Sequence, residues 1–386
     1  MNTVDWTKAL VAIDTTSKFS NLALIDLIQS HLKGLGLAPW LAYNHDKSKA
    51  NLFVTLPDAQ GNIAGGTILS GHTDVVPVSG QHWQSNPFEP HIADGKLYGR
   101  GTCDMKGFIG ASLALLPAAL AKPLNTPLHL AFSYDEEIGC LGAPVMLDAL
   151  QQHGLSPSAC IVGEPTSMKM VVAHKGINSY KCSVHGHAAH SSLTPSGVNA
   201  IEYAARIICF INDEARRYQA NGPFDADFDV PFTTLSTGLI KGGQAMNIVP
   251  ELCEFFFEYR QLPGLDAAAI LAPIQDYMAQ AVAQMQAVVP HARIELSQMN
   301  QVPPLDEADG SSPALKQLVA KLVNAQQKHK VAYTTEAGLF QQANITTLVC
   351  GPGDIQQAHK PDEFVSLDQL AQCDAFLNQL LASMQA

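Results

Sequence analysis

The sequence predicts an α/β fold in which a mostly parallel sheet is flanked by helices and interrupted by an inserted α+β domain. The first observation behind this prediction is a set of short apolar runs without alternation, typical of strands buried on both faces of a parallel sheet. Acidic or histidine-bearing loops follow the runs at 67–69, 127–132, 159–163 and 346–350. Because parallel strands present their carboxyl ends at one edge, these loops are expected to line one cleft.

The second observation is a change of pattern between residues 177 and 299, where strand-like alternation replaces the continuous apolar runs. A helix that follows Asp266 is expected to begin late or to kink at Pro273. The pattern indicates an antiparallel sheet with two helices, inserted between a main domain of 1–176 and 300–386. Within the insert, strands are predicted at 178–185, 233–240, 248–259 and 292–297, and a helix at 199–218. In the main domain, helices are predicted at 21–33, at 366–383 and after Ser311 or Ser312.

Length and composition agree with a two-domain globular protein. The chain has 386 residues, of which 47% are hydrophobic and 15% charged, and one core rarely serves a chain of this length. The formal charge of −12, with no basic run, argues against nucleic acid and anionic membranes as partners. The first residues lack the features of a signal peptide, and no C-x-x-C pair occurs among eight cysteines. A cytoplasmic protein with reduced, mostly buried thiols is therefore expected.

A histidine and an aspartate two residues apart follow the first apolar run. In extended backbone, His72 and Asp74 point to the same side. A metal-bound imidazole usually donates its second ring N–H to a carboxylate or carbonyl, so the pair predicts a ligand with its orienting partner. A hydrogen-bonded loop histidine remains the alternative for this segment alone.

Three further carboxylates stand in comparable positions. Asp104 precedes a predicted helix, where it serves either as an N-cap or as a bridging metal carboxylate. Glu136 and Glu137 follow a strand too apolar to be exposed, so one acid can bind a metal while the other faces water. A solvated surface pair is the alternative for them. A direct role for Cys103, beside Asp104, stays open.

Six motifs together resemble the dinuclear zinc deacylase and exopeptidase family, in order and spacing along nearly the whole chain. They are S-G-H-T-D-V-V-P at 70–77, G-R-G-T-C-D-M-K-G at 99–107, D-E-E-I-G at 135–139, V-G-E-P-T at 162–166, G-H-A-A-H-S-S at 186–192 and G-P-G-D-I-Q-Q-A-H-K-P-D-E at 351–363. Within the family, the segments 173–176, 335–337 and 351–363 most resemble members that release acetate from N2-acetyl-L-ornithine in arginine biosynthesis.

The resemblance implies a centre of two Zn²⁺ ions, for which Co²⁺ is expected to substitute. Asp104 would bridge the two ions, Asp74 would orient His72, and a cis peptide would follow Asp104. A water between the ions, deprotonated by Glu136, would attack the amide carbonyl of a small N-acyl amino acid. The implied metal ligands are His72, Asp104, Glu137, Glu164 and His359.

The insert corresponds in this resemblance to a lid that forms a homodimer. His190 would stabilise the oxyanion in the partner's cleft, while Asn247 and Arg260 would hold the substrate carboxylate. For the histidine-rich tract with His185 and His187, the alternative is a third metal site. For Arg260, the alternative is a solvated surface charge. Glu336 is expected to face the cleft and contact the side-chain ammonium of ornithine.

Three other functions remain open from the sequence. A desuccinylase that acts on succinyl-diaminopimelate, another deacylase or a dipeptidase would use the same five ligands. An inactive small-molecule binding protein of the same fold would not need an intact Glu136. A single-metal amidase would not need the carboxylate of Asp104.

Overall fold

The computed structural model describes residues 1–307, 313–325 and 327–385, and these form two compact units. The first unit contains residues 1–173, 305–330 and 335–386, and the second contains 174–304 and 331–334, within the described ranges. The strands of the described residues are β1 Trp40–Tyr43, β2 Ala50–Leu56, β3 Thr67–His72, β4 His91–Ala93, β5 Lys96–Tyr98, β6 Leu128–Ser133, β7 Ala159–Val162, β8 Val171–His174, β9 Gly176–His185, β10 Thr234–Gly242, β11 Leu252–Gln261, β12 Arg293–Val302, β13 His329–Val331, β14 Thr346–Val349 and β15 Phe364–Ser366. The α-helices are α1 Thr3–Val11, α2 Leu22–Gly34, α3 Gly107–Ala114, α4 Leu116–Leu120, α5 Gly142–Gln152, α6 Ala200–Asn221, α7 Ala267–Gln286, α8 Pro313–Leu322, α9 Ala337–Gln342 and α10 Leu367–Met384.

An eight-stranded sheet in the order β1-β2-β6-β3-β7-β14-β8-β13 is the centre of the first unit. The strands β6, β3, β7 and β14 run parallel, and the neighbours on either side of them are antiparallel. Almost every residue of the parallel strands is buried, as the continuous apolar runs require. The predicted α/β fold class is confirmed.

Helix α3 packs directly on the parallel strands. A side chain at Gly71 would meet Met105 and Ile109, and one at Gly163 would overlap the ring of Phe108. These close approaches fix the ends of β3 and β7 against the helix. The stretch Thr102–Leu120 has the length and composition of a membrane span, and 78% of its 18-residue apolar window is buried inside the protein, as in the core helix of a globular domain.

The second unit is the antiparallel sheet β10-β11-β9-β12 with the helices α6 and α7 packed against it. Asn199 caps α6 by accepting from the N–H groups of Ile201 and Glu202, and Asp266 caps α7 by accepting from Ala268. Ile211, Ile274 and Phe255 join the two helices and the sheet in one apolar core. The predicted antiparallel sheet with two helices is present.

Two expectations for helix starts have different outcomes. Helix α7 begins immediately after Asp266 and continues through Pro273, so the expected late start is wrong. The proline removes one N–H donor, and its partner would be the carbonyl of Ala269, which lies on an exposed residue where water can solvate it. The predicted caps Ser311 and Ser312 lie outside the described residues, and α8 is described from Pro313.

Candidate metal centre

Strand ends of the first unit gather the predicted ligands, as the sequence pattern requires. His72 is the last residue of β3 and pairs in register with Ser133, the last residue of β6. Glu137 lies in the turn after β6, and Glu164 follows β7 by two residues. The carboxyl edge of the parallel strands therefore positions these side chains together.

Asp104 lies between two histidines, His72 and His359, that are far apart in the sequence. Its Oδ1 is 2.9 Å from His72 Nε2, and its Oδ2 is 3.4 Å from His359 Nε2. Glu164 Oε1 is 3.6 Å from His72 Nε2, and Glu137 Oε2 is 3.0 Å from His359 Nε2. Two sets of ligand atoms thus share one carboxylate. We call His72, Asp104 and Glu164 the His72 site, and His359, Asp104 and Glu137 the His359 site.

The backbone at this centre has unusual conformations. The peptide bond between Asp104 and Met105 is cis, as the resemblance implies. His359 has a φ of 62°, in the left-handed region that non-glycine residues seldom adopt.

Asp74 supports both the histidine and the two glutamates. The His72 Nδ1–H donates to the Asp74 carbonyl oxygen at 2.9 Å, whereas the nearer carboxylate oxygen is 3.6 Å away. That carboxylate accepts from the backbone N–H groups of Glu136 at 3.0 Å and Glu137 at 3.3 Å, and from the Ser17 hydroxyl at 2.7 Å. The orientation of His72 thus comes mainly from the backbone of Asp74, and the Asp74 carboxylate holds the acidic pair.

Burial and crowding of like charges shift the acidic groups strongly. Burial, followed by the charge of Asp104, raises the pKa of Glu137 to about 7 and the pKa of Glu164 well above its usual range. Burial also raises the pKa of Glu136, with Glu137 as a further cause. Carboxylates buried this closely carry a large electrostatic cost unless cations pair with them.

The pKa values of the two histidines are also raised, which in a base favours the charged form. Hydrogen bonds that the His359 ring donates to Asp104 and Glu137 raise the pKa of His359 to about 10. Burial alone would lower the pKa of His72, but Asp104 and Asp74 raise it well above its usual value. Burial would raise the pKa of Asp104, yet hydrogen bonds from His359 and His72 lower it. These shifts mark a centre that favours positive charge, which a bound metal ion would supply.

The donor set fits a divalent metal. Among the described residues, ligand atoms of His72, Glu136 and Glu164 lie within 4.8 Å of one another, and so do those of His72, Asp104 and Glu137. Imidazole and carboxylate donors are typical of zinc and related ions. A carboxylate whose two oxygens face different histidines is the arrangement that a pair of ions needs.

Comparisons with known proteins agree with this centre. The model of the peptidase family M20/M25/M40 matches residues 68–383. The chain belongs to this family. Six curated relatives that are 32–36% identical are named acetylornithine deacetylase. The one from Pasteurella multocida is 34% identical over 383 residues, which cover 97% of this chain and 95% of the relative.

Solved structures share the fold of this M20-family chain. A tripeptidase from Staphylococcus aureus superposes with a TM-score of 0.77 at 18% identity, covering 99% of this chain and 98% of the other. A Bacillus subtilis protein described as a dinuclear metal binding peptidase from the M20 family has a TM-score of 0.66 at 14% identity, covering 99% and 97%. Membership of the family makes the protein a metal-dependent hydrolase of amide bonds.

Glu336 immediately precedes α9, and its side chain is buried, with 1% exposed. Its contact with the side-chain ammonium of ornithine stays a prediction. Its Oε1 has no hydrogen-bond partner among the described residues. Burial raises its pKa to about 7, although the nearby Ser133 hydroxyl lowers it.

The other predicted site residues of this M20-family chain belong to the second unit. The exposed His190 accepts a hydrogen bond from the N–H of Ser192, and the N–H of Ser191 donates to the carbonyl of Asn247. The residues His190 and Asn247 therefore lie in neighbouring loops of the second unit. Arg260 Nε donates to Glu258 at 3.0 Å.

The structure also gives contacts for residues that the sequence left open. His185 faces Glu295 at 3.4 Å, and the ring of His187 contacts His291. Cys103 is buried and donates to the carbonyl of Asp354 at 3.4 Å. Burial raises the pKa of the Cys103 thiol well above its usual value, which argues against a thiolate at neutral pH.

Sequence reasoning missed Arg100 and Glu363 as residues of this site. Both lie inside motifs of the family resemblance, G-R-G-T-C-D-M-K-G and the final run that ends in D-E. Their side chains form a buried ion pair with a distance of 2.6 Å. Motif membership was the available signal, but it gave no indication of which groups these side chains contact.

Proposed function

We propose that this protein hydrolyses N2-acetyl-L-ornithine to acetate and L-ornithine, with two Zn²⁺ ions that Co²⁺ can replace. The observation that carries the proposal is Asp104, whose two oxygens face His72 and His359. The names of the six relatives support the substrate. The proposed ligands are His72, Asp104, Glu137, Glu164 and His359.

Glu136 is the proposed general base. When bound, the two ions would supply Lewis acidity, which lowers the pKa of water and polarises the amide carbonyl. Glu136 takes a proton from water as the new C–O bond forms, and delivers it to the amide nitrogen as the C–N bond breaks. The Asp74 carboxylate fixes the backbone N–H of Glu136, and the Glu136 carboxylate lies beside His72 and Glu164. Both observations support this role. One water is consumed, and one carboxylic acid and one amine are formed.

We further propose that the second unit is a dimerisation lid. His190 stabilises the oxyanion in the partner subunit's site, and Asn247 with Arg260 holds the carboxylate of the small N-acyl amino acid. Exposed apolar side chains on β10, with Leu239 66% and Ile240 56% exposed, support a homodimer contact through this unit. We place this homodimer in the cytoplasm, without a nucleic-acid or membrane partner.

A substrate panel with metal control tests the function. The purified chain is freed of metal with a chelator and assayed for acetate and ornithine release, before and after addition of zinc or cobalt. The expected result is equimolar products only after metal addition, with slower turnover of N-acetylmethionine, N-succinyl-diaminopimelate and a dipeptide. Faster release of succinate, or of a free amino acid from the dipeptide, would contradict the proposal that N2-acetyl-L-ornithine is the preferred substrate. Full turnover without metal would contradict the mechanism.

A further inference from the structure

The buried ion pair between Arg100 and Glu363 joins the two loops that carry Asp104 and His359. Both side chains of the pair are 1% exposed, and Arg100 Nη1 donates to Glu363 Oε2 at 2.6 Å. Buried charges are tolerated when they are paired and when their remaining lone pairs and protons are hydrogen-bonded. The remaining contacts of the pair therefore indicate what it holds in place.

Glu363 fixes the backbone that presents the bridging carboxylate. Its Oε1 accepts from the N–H groups of Gly101 at 3.1 Å, Cys103 at 2.9 Å and Asp104 at 3.1 Å. Hydrogen bonds to a charged acceptor are about twice as strong as neutral ones. Three such bonds that converge on one oxygen leave the loop before Asp104 little freedom to move.

Arg100 connects this carboxylate to the backbone of His359. Its Nη2 donates to Gln81 Oε1 at 2.6 Å, and Gln81 Nε2 donates to the carbonyl of His359 at 2.8 Å. Arg100 Nη1 also donates to the carbonyl of Lys360 at 3.3 Å. We call Glu363, Arg100 and Gln81 the clamp. One end of the clamp holds the Asp104 backbone, and the other end holds the His359 backbone.

The two histidine ligands differ in how much they need such support. His72 ends a central strand and its side chain is 1% exposed, so β3 and its neighbours fix it. The side chain of His359 is 57% exposed, and the residue lies in a loop with left-handed backbone. Loop residues are held by few contacts and open more readily than buried strands. The clamp therefore matters more for His359.

We propose that the clamp residues are positioning residues that set the placement of His359 relative to Asp104, and that Gln81 strengthens metal binding at the His359 site selectively. The inference rests on the two-metal function proposed above. Removing an outer partner of a metal ligand typically costs about 10–100-fold in metal affinity. Within the described residues, Gln81 contacts the His359 backbone directly and reaches Asp104 only indirectly, through Arg100 and Glu363. The loss is therefore expected at the His359 site.

Gln81→Met tests the proposal, because it removes the amide and keeps an unbranched side chain of similar length. Gln84→Met is the matched control, since Gln84 lies in the same loop, is exposed and holds Asp362 through its backbone N–H. Zinc is titrated calorimetrically into each chelator-treated protein in the presence of a competing chelator. Cobalt absorption spectra at one and two equivalents give a second readout that does not depend on turnover.

The expected result is a 10–100-fold loss of affinity for one zinc equivalent in Gln81→Met, with the other equivalent within about threefold of wild type. Gln84→Met should match wild type for both. Equal losses at both equivalents in Gln81→Met, or wild-type values at both, would overturn the proposal. Gln81→Asn, whose shorter amide cannot span Arg100 and His359, replaces Gln81→Met if the latter does not fold. Binding of only one zinc equivalent by the wild-type protein would instead refute the two-metal function.

Discussion

Replacement of Asp74 by asparagine tests whether this carboxylate positions Glu136, the proposed general base. The two oxygens accept from Glu136 N–H, Glu137 N–H and the Ser17 hydroxyl, and the side chain is 2% exposed. An amide keeps one acceptor oxygen and turns an NH₂ group toward a donor, so at least one charge-assisted hydrogen bond is lost. Such bonds contribute about 1.5–3 kcal/mol each.

The expected loss is therefore about 1.5–3 kcal/mol in the free energy of unfolding of the metal-free protein. If displacement of Glu136 destabilises the transition state by the same free energy, kcat falls by about 10- to 150-fold, at 1.36 kcal/mol per factor of ten. Urea denaturation measures the first quantity, and acetate release at saturating substrate measures the second. Bound metal, counted by mass spectrometry, should remain at two ions.

Ser17→Ala is the matched control. It removes one neutral donor from the same carboxylate and leaves both glutamate N–H groups bonded. Its free energy of unfolding should also fall by about 1.5–3 kcal/mol, because this bond goes to the same charged carboxylate, but kcat should stay within about threefold of wild type. Wild-type kcat in Asp74→Asn, or an equal loss of kcat in both variants, would refute the assignment of Asp74 as the support of Glu136.

Three further outcomes are expected. Glu136→Gln should lower kcat by at least about 100-fold with zinc stoichiometry intact, and retained turnover would refute the general-base role. Glu336→Gln should lower kcat/KM for N2-acetylornithine more than for N-acetylmethionine, and equal losses would show that the buried carboxylate does not meet the ammonium. Burial lowers the pKa of His129, so its contribution to stability is present above pH ~6.5 and lost as pH falls through the folded-state pKa. In metal-free protein, the free energy of unfolding of His129→Gln should therefore decline less between pH 7 and pH 5 than that of the wild type. Parallel plots of unfolding free energy against pH for the two proteins would contradict this.

The strand-end ligands could be predicted because they depend on local pattern. A buried apolar run followed by an acidic or histidine loop places His72, Glu137 and Glu164 at the same edge of a parallel sheet. His359 follows the last such run at a distance, so its role came from the family resemblance rather than from the spacing. The fold class followed from the same runs and from the change of pattern after residue 176.

The supporting contacts could not be predicted, because they join side chains to backbone groups far apart in sequence. Glu363 accepts from the N–H of Asp104, which lies 259 positions earlier. No periodicity or propensity indicates such a pairing. The burial of Glu336 could not be predicted for a similar reason, since a single acid between Thr335 and Ala337 gives no sign of which packed elements surround it. The late helix start expected at Pro273 was wrong because an exposed carbonyl tolerates the missing donor.

The order of the elements along the chain affects when the centre becomes complete during synthesis. The ribosome releases β3, β6 and β7 first, then the whole inserted unit, and only afterwards β14 and the segment with His359 and Glu363. Nascent domains generally fold from the amino-terminal side, so the emerging polypeptide holds Asp104 before either His359 or the partner of Arg100 exists. Binding of both proposed metal ions therefore requires the finished chain, because a growing chain on the ribosome has the complete His72 site but not yet His359.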